Sequence, residues 1–384
     1  MRIVMIGPFA FKPKGTVSAR AFFAARALAR RGHTVTILMP PYDNPSDSGR
    51  CWMQEGVGLE NVRLSPSFLS PLNAAWTMAR RALALKADVI HVFKPIGYSG
   101  LAAQVLSCLG APWVLDHDDW EGRGGWADIN PYPKPWKRFF YWQEPWAIRH
   151  ARAVTVASRT LQTQVWGLGV DPSHVFYVPN GPDEALRDVK FQVSNSKFQI
   201  PTAIYLGHIP HGNDLDQAIE AVARLQPEIP PLRLVIAGTG DGLPALQALV
   251  KQRKMEAIVS FPGWIDPPRV PQTLAEASVA VYPYRDTLVN RAKCSAKLIA
   301  YMAAGLPIVA SRVGQNAEYI EHGLSGWLVE PGDIDGLVAA LRTLLADPAR
   351  AQELGRAARK RLWERFDWDV LVERFLEAYE VTRP

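Results

Sequence analysis

The chain predicts an α/β protein of two doubly wound domains of similar size, and three observations carry that prediction. Short apolar runs ending in glycine alternate with longer helical stretches through both halves. The plan that opens at Met1 opens again near Ala203. With 384 residues and 48% hydrophobic content, the chain can bury two cores and is long for a single sheet.

In the first half, Ile3–Ile6 is an apolar strand candidate ending in Gly7, followed by the loop PFAFKPKGT and a helix from about Val17 to Arg31. Gly32 stops that helix and Thr34–Met39 resumes as a strand, which completes one βαβ unit. The loop carries Lys12, Lys14 and Gly15 at the strand's C-terminal end, where ligands of doubly wound sheets sit. Its spacing is not GxGxxG, so it lacks a dinucleotide fingerprint. Further strands are predicted at Val89–Phe93, Trp113–Leu115, Val154–Ala157 and Val175–Val178, with helices between them.

The second half repeats the alternation. Ala203–Leu206 ends in Gly207, a helix follows from about Asp214 to Leu225, and the strand LRLVIAG ends in GTGDG. A helix over Pro244–Arg253, strands at Ile258–Phe261 and Val279–Tyr282, and the loop PYRDTLVNRAKC come next. A helical tail runs from Asp333 to the end, broken near Asp347-Pro348 and again near Phe366–Asp369. The expected domains are therefore 1–184 and 185–366, with 367–384 as a final helix.

Charge is unevenly spread. Residues 1–185 hold 20 Lys and Arg against 14 Asp and Glu, whereas residues 186–384 hold 23 of each. The excess of +6 thus lies in the first half, which suits an anionic partner or a solvated basic face. Three distant cysteines, with no CxxC spacing, point to a reducing compartment rather than disulfides or structural zinc. Met1-Arg2 leads straight into IVMIG, too short for a secretion signal, and no apolar run reaches the ~18 residues of a spanning helix. A cytoplasmic protein, free or at the inner face of the membrane, is expected.

The stretch from Ser295 to Ser311, SAKLIAYMAAGLPIVAS, carries the most chemistry. Ser295 suits an N-cap, Gly305 a residue just past a helix C-terminus, and Pro307 prevents the helix from resuming before the strand Ile308–Ala310. Lys297 falls in the first turn, where a cation opposes the helix dipole. An anion docked on the free N–H groups of that turn explains the placement, and so does a surface lysine tolerated at small cost.

These residues resemble the family 4 glycosyltransferases of GT-B fold. The likeness spans nearly the whole chain: MRIVMIGPF with LARRGHTVTIL, then VTVASRTLQTQVWGLG and VFYVPNGPD, then IVSFPGWID, VAVYPYRDT, KLIAYMAAGLPIVAS and VGQNAEYIEHGLSGWLVEPGD. The resemblance implies two Rossmann-like domains facing each other across a cleft, a nucleotide-sugar donor on the second and an acceptor on the first. It also implies retention of anomeric configuration, no bound metal or other cofactor, and a last helix that crosses back to the first domain. Carried over by position, Gly15 lines the cleft near the leaving diphosphate, and Lys297, Ser295 and Leu298 hold that diphosphate. Gly238, Trp264 and Ile265 border the base, Gly314 and Glu318 approach the nucleotide, and Asn180-Gly181 form the hinge.

Four positions depart from the family pattern. Its glutamate pair falls at Ala292 and Ala300, its arginine after the first strand glycine is His208, and its lysine five residues later is Asn213. All four changes remove charge or hydrogen-bonding reach from the donor site. In relatives with a loop like RDTLVNRAKCSAKL, the residues matching Asp286, Asn290 and Arg291 supply contacts, and a guanidinium at Arg291 suits phosphate oxygens. The expected activity is transfer of a hexose-type sugar, with a catalytically silent partner subunit or sugar-nucleotide sensor as the alternative.

On the acceptor side, DHDDWEGRGGW follows the strand candidate WVL. His117 and Asp118 match a family stretch that meets the donor sugar or the acceptor hydroxyl, and a histidine among aspartates suits proton transfer. Asp116-His117-Asp118 is also a DxD string able to hold Mg²⁺, but the chain contains three others, at 214–216, 333–335 and 367–369, each at a helix start. Lys94 either faces the cleft or serves its own loop. The aromatic and basic run over 130–150, NPYPKPWKRFFYWQEPWAIRH, suits peripheral membrane contact and a lipid-linked or glycan acceptor; a buried helix with snorkelling lysines has the same composition. No nucleic-acid module is recognisable.

Overall fold

A computed structural model describes residues 1–12, 15–65, 69–188, 200–210 and 214–382. The chain forms two compact units: one from 1–181, 291–294 and 366–384, the other from 182–290 and 295–365. The first unit is thus assembled from three stretches of chain; a final helix crossing back to it was expected, the 291–294 stretch was not.

The first unit holds β1 (Arg2–Ile6), β2 (Thr34–Met39), β3 (Cys51–Gln54), β4 (Val57–Asn61), β5 (Val89–Phe93), β6 (Val114–His117), β7 (Ala153–Val156) and β8 (Val175–Tyr177). They form one sheet in the order β3-β4-β2-β1-β5-β6-β7-β8, parallel except at β3. The β3–β4 hairpin is absent from the sequence reading. Its two-residue turn is Glu55-Gly56, both at positive φ (47° and 80°), the geometry that tight hairpins favour. The first helix also starts late: Thr16–Ala21 makes a π-type turn before the α-helix Phe22–Arg30.

Alternation along β1 feeds an apolar cluster on each face of this sheet. Ile3 and Met5 pack with Leu28 and with Trp368, Phe375 and Tyr379 of the final Trp368–Glu380 helix. Val4 and Ile6 pack with Met78, Leu106, Ile148 and Ala292 on the other. Tyr379 reaches through to His91 Nδ1 at 2.9 Å, and Arg30 pairs with Asp369 at 2.8 Å on the surface. The 291–294 stretch is held by the same unit: Asn180 N–H meets Cys294 Sγ at 3.1 Å, and Asn180 Nδ2 donates to the Cys294 carbonyl at 2.8 Å.

The second unit holds β9 (Thr202–Leu206), β10 (Arg233–Ala237), β11 (Val259–Gly263), β12 (Val279–Tyr282), β13 (Ile308–Ser311) and β14 (Trp327–Val329), all parallel, in the order β11-β10-β9-β12-β13-β14. Ala203, Ile204, Leu234, Ile236 and Ala280 are buried in its core. Among the described residues, no helix is long and apolar enough to cross a membrane.

One buried ion pair fixes the C-terminal edge of the first sheet. Arg20 is inaccessible to water and grips Asp116 at both oxygens, Nε to Oδ1 at 2.7 Å and Nη2 to Oδ2 at 2.8 Å. Its other donors reach Asn180 Oδ1 and the Val178 carbonyl, both at 2.9 Å. Removing one partner strands the other charge in the interior, a loss of about 3–5 kcal/mol. Arg20→Ala is therefore expected to lower unfolding free energy by that order in denaturant titrations, and adding Asp116→Leu to the same chain recovers part of it.

Candidate functional site

In the second sheet the chain moves outward from β9 to β10 and β11, then returns to the far side of β9 with β12. Loops after β9 and β12 part at that reversal, and open α/β sheets bind ligands outside such a point. There Gly207 (φ 143°) leaves room for the stem of Lys297: a Cβ on Gly207 would lie 2.2 Å from Lys297 Cε. Gly238 (φ 140°) packs as closely, with a hypothetical Cβ 2.0 Å from the Gly207 carbonyl oxygen.

The Ala296–Ala304 helix begins at the same place. Ser295 is extended and its Oγ accepts the Lys297 N–H at 3.3 Å, while Gly305 takes the left-handed conformation (φ 65°, ψ 25°) at the far end. Lys297 Nζ donates to the His208 carbonyl at 2.9 Å and to Tyr205 Oη, and sits 4.8 Å from the Tyr205 ring centre. Tyr282 Oη bonds to both Tyr284 Oη and Ser295 Oγ, and Tyr301 Oη accepts the Leu206 N–H at 2.8 Å. Burial raises the pKa of all four phenols, so they remain neutral hydroxyls. One ammonium among neutral hydroxyls at a helix N-terminus is an anion site in chemical character.

Of the residues expected in the donor site, the structure gathers Ser295, Lys297, His208 and Gly238 around Gly207. Trp264, 66% exposed, and Ile265 follow β11; Gly314 and Glu318 follow β13; Asp286 is exposed in the loop after β12. Leu298 is fully buried in the core and offers a ligand no side chain. The Asn290 amide is taken by Asp214 Oδ2 at 3.1 Å and the Arg285 carbonyl at 2.9 Å, so it braces the loop. Arg291, exposed, belongs with Ala292 to the stretch held by the first unit. Asn213 lies outside the described residues. The tyrosine cluster went unread in the sequence, although Tyr205, Tyr282 and Tyr301 each stand beside a motif that was read.

In the first unit, Gly15 opens the π-type turn and its neighbour Thr16 donates to Asp118 Oδ2 at 3.0 Å, which brings Gly15 and Asp118 together. His117 differs from its expected role. It is fully buried, Nε2 faces Gln164 Oε1 at 2.8 Å, and Nδ1 has no partner among the described residues. Burial lowers its pKa against the pull of Gln164 and Asp118, which leaves a neutral ring. Asp116 has its oxygens on Arg20 and Thr155, so the string 116–118 is not a joint metal ligand set.

Lys94 anchors the loop. Its ammonium lies 3.1 Å from Asp118, 3.2 Å from Asp119 and in close contact with Glu121. Oxygens of these three carboxylates fall within 4.8 Å of one another, close enough for a cation, and the ammonium pairs with all three. Burial opposes the Lys94 charge, but Asp118, Glu121 and Asp119 overcome it and hold its pKa well above the ordinary value. Glu144, behind the cluster, accepts the Glu121 N–H at 2.7 Å and is pushed by burial up to about 7.

Two family models match the chain: the glycosyl transferase 4-like domain over residues 15–181 and glycosyl transferases group 1 over residues 187–361. The chain belongs to the family 4 glycosyltransferases. It is 27% identical to a glycogen synthase of Mycobacterium tuberculosis, over 99% of this chain and 94% of that one. It is 26% identical to an alpha-maltose-1-phosphate synthase of Mycolicibacterium smegmatis, covering 83% and 84%. Among solved structures, HepE of Anabaena in complex with UDP matches at TM-score 0.73 and 18% identity over 98% of this chain and 99% of that one. A sucrose-phosphate synthase of Thermosynechococcus elongatus matches at 0.75 and 18%, over 99% and 98%. These likenesses establish the GT-B fold of this glycosyltransferase.

Glu144 supplies a pH test of the buried network. Its folded pKa, about 7, stands above the ordinary 4.5, so the folded state holds a proton that the unfolded state has lost between those values. Wild-type stability from this group is full below about pH 4.5 and falls as pH rises through 7. Glu144→Gln does not titrate. Its stability relative to wild type is expected to improve from pH 5 to pH 8, by up to about 3 kcal/mol in paired denaturant titrations.

Proposed function

We propose that this glycosyltransferase moves a hexose-type sugar from a nucleotide-diphosphate donor to a glycan or lipid-linked acceptor, with retention and without a metal or other cofactor. The observation that carries the reading is the placement of Lys297. Its ammonium stands in the first turn of a capped helix, at the reversal point of the second sheet, against the neutral Tyr205 phenol, while Tyr282 bonds to the capping Ser295. Departure of a nucleoside diphosphate builds negative charge on the bridging oxygen. Fixed donors aimed there stabilise the transition state more than the bound substrate. An ammonium and helix N–H groups supply that stabilisation without a divalent ion. UDP in the solved HepE complex supports a nucleotide-bearing donor.

With Ala300 at the place of the family's ribose-binding glutamate, the phosphate end bears the larger share of donor recognition. Lys297→Ala is expected to lower turnover with the preferred UDP-, GDP- or ADP-sugar about 10²–10³-fold, with unchanged thermal unfolding and no loss of wild-type rate in a chelator. Near-wild-type turnover in that variant overturns the assignment. Nucleotide binding without turnover by the wild-type protein, across the whole donor panel, favours a silent sensor instead. NMR of the product's anomeric proton tests retention.

The Lys134–His150 helix supports a lipid-linked acceptor. Trp136 and Trp142 are each 51% exposed, joined through Phe139 at 6.4 and 5.8 Å, with Lys134 and Arg138 exposed on the same helix. The protein is expected to float with anionic liposomes and to lose most of that co-flotation in the Trp136→Ala, Trp142→Ala double variant.

A further inference from the structure

Lys297 carries its charge on a long flexible stem, and such a cation stabilises a transition state best where it is held in advance. What holds it belongs to β9. Tyr205, next to last in that strand, is 4% exposed, and its hydroxyl donates to the His208 carbonyl at 2.9 Å. A phenol has one proton to give, so its oxygen is left as an acceptor, and the Lys297 ammonium donates to it. The ammonium also donates to that His208 carbonyl, at 2.9 Å, and lies 4.8 Å from the Tyr205 ring centre. Ammonium, phenol and carbonyl thus close a triangle of hydrogen bonds.

The phenol is itself fixed. Its ring stacks on that of Tyr282 at 16°, 6.3 Å between centres, and Tyr282 packs edge-on against Tyr301 at 6.1 Å. Lys297 and Tyr301 stand four residues apart on one face of their helix, and both reach the end of β9. Tyr301 takes the Leu206 N–H at 2.8 Å, while Lys297 takes the Tyr205 and His208 oxygens. The His208 ring gives its Nδ1 to the Thr239 carbonyl at 3.0 Å, so position 208 meets the ammonium with its backbone. Burial raises the Tyr205 pKa well above its ordinary value and keeps the hydroxyl neutral.

We infer that Tyr205 is a positioning residue of the transfer reaction, fixing the Lys297 ammonium where the leaving phosphate gathers charge, a role that rests on the reading of Lys297 proposed above. At 4% exposure the phenol offers a ligand almost no surface, so it acts through the lysine and not on the donor. A neutral oxygen suits this task better than a carboxylate. It orients the ammonium by a hydrogen bond without cancelling the charge that the phosphate needs. The ring holds the cation from its face as well, so removing the hydroxyl alone loosens the lysine without releasing it. Tyr205, Gly207 and His208 follow one another along the same strand end, which makes the seat of the ammonium a property of β9 and its first loop.

A double-mutant cycle on the full chain tests it, with turnover of the preferred nucleotide sugar measured for wild type, Tyr205→Phe, Lys297→Ala and the double variant. Phenylalanine keeps the ring and its packing and removes only the hydroxyl. Tyr205→Phe is expected to lower kcat about tenfold with the donor KM within about threefold of wild type, because lost preorganisation falls on the transition state. In the Lys297→Ala background the same change is expected to alter kcat by less than about twofold, since no ammonium is left to hold. A phenol that only supports the fold would cost the same factor in both backgrounds. That additive result, or a kcat within about twofold of wild type in Tyr205→Phe, overturns the role of Tyr205 while a Lys297→Ala defect leaves the donor reading standing. Full turnover in Lys297→Ala, or a wild-type protein inactive on every UDP-, GDP- and ADP-sugar, overturns both.

Discussion

The second unit depends on how closely two strand ends and one lysine can approach. Gly207 lacks the Cβ that would collide with the Lys297 stem, and Gly238 lacks the one that would strike the Gly207 carbonyl. With both in place the ammonium lies against a backbone carbonyl and a phenol, and the helix that follows Ser295 opens where the strand order reverses. A side chain at either glycine would move the charge and the helix N-terminus apart. The chemistry of the site therefore rests on two missing methyl groups before it rests on any charged residue.

The first unit solves the opposite problem, dense charge in a dry interior. Arg20 answers Asp116, Asn180 and the Val178 carbonyl with a fixed fork, and a single ammonium at Lys94 is shared by three carboxylates. Three carboxylates around one cation leave a surplus of negative charge, and burial moves Glu121 and Glu144 toward neutrality. Asp118 is tied into the same network by Lys94 and Thr16.

The parts of this structure legible in the sequence are those where backbone chemistry leaves a residue little choice. Gly305 at positive φ, the Ser295 cap and apolar strands ending in glycine read correctly because few residues satisfy those positions. The hairpin at 51–61 stayed hidden because the inward face of its first half carries Arg50, Trp52 and Gln54, which leaves only Val57 and Leu59 of the second strand as alternating apolar residues. Arg20 reads as an ordinary charged residue in a helix until Asp116, 96 positions away, stands opposite it. His117 and Leu298 mislead for the same reason: a motif gives their place in the chain, and only packing gives their depth.

The interleaving of the two units has a consequence for how the protein is made. Trp368, Phe375 and Tyr379 complete an apolar face that includes Ile3 and Met5, which are synthesised well before them. A nascent chain on the ribosome can close the second unit once Arg365 has emerged, but the sheet begun at Arg2 stays uncovered on that face until the Trp368–Glu380 helix follows. Translation order and completion order are thus reversed in this molecule. The strands made first wait longest for their cover, and a chain that lacks the Trp368–Glu380 helix would leave that hydrophobic surface open to aggregation.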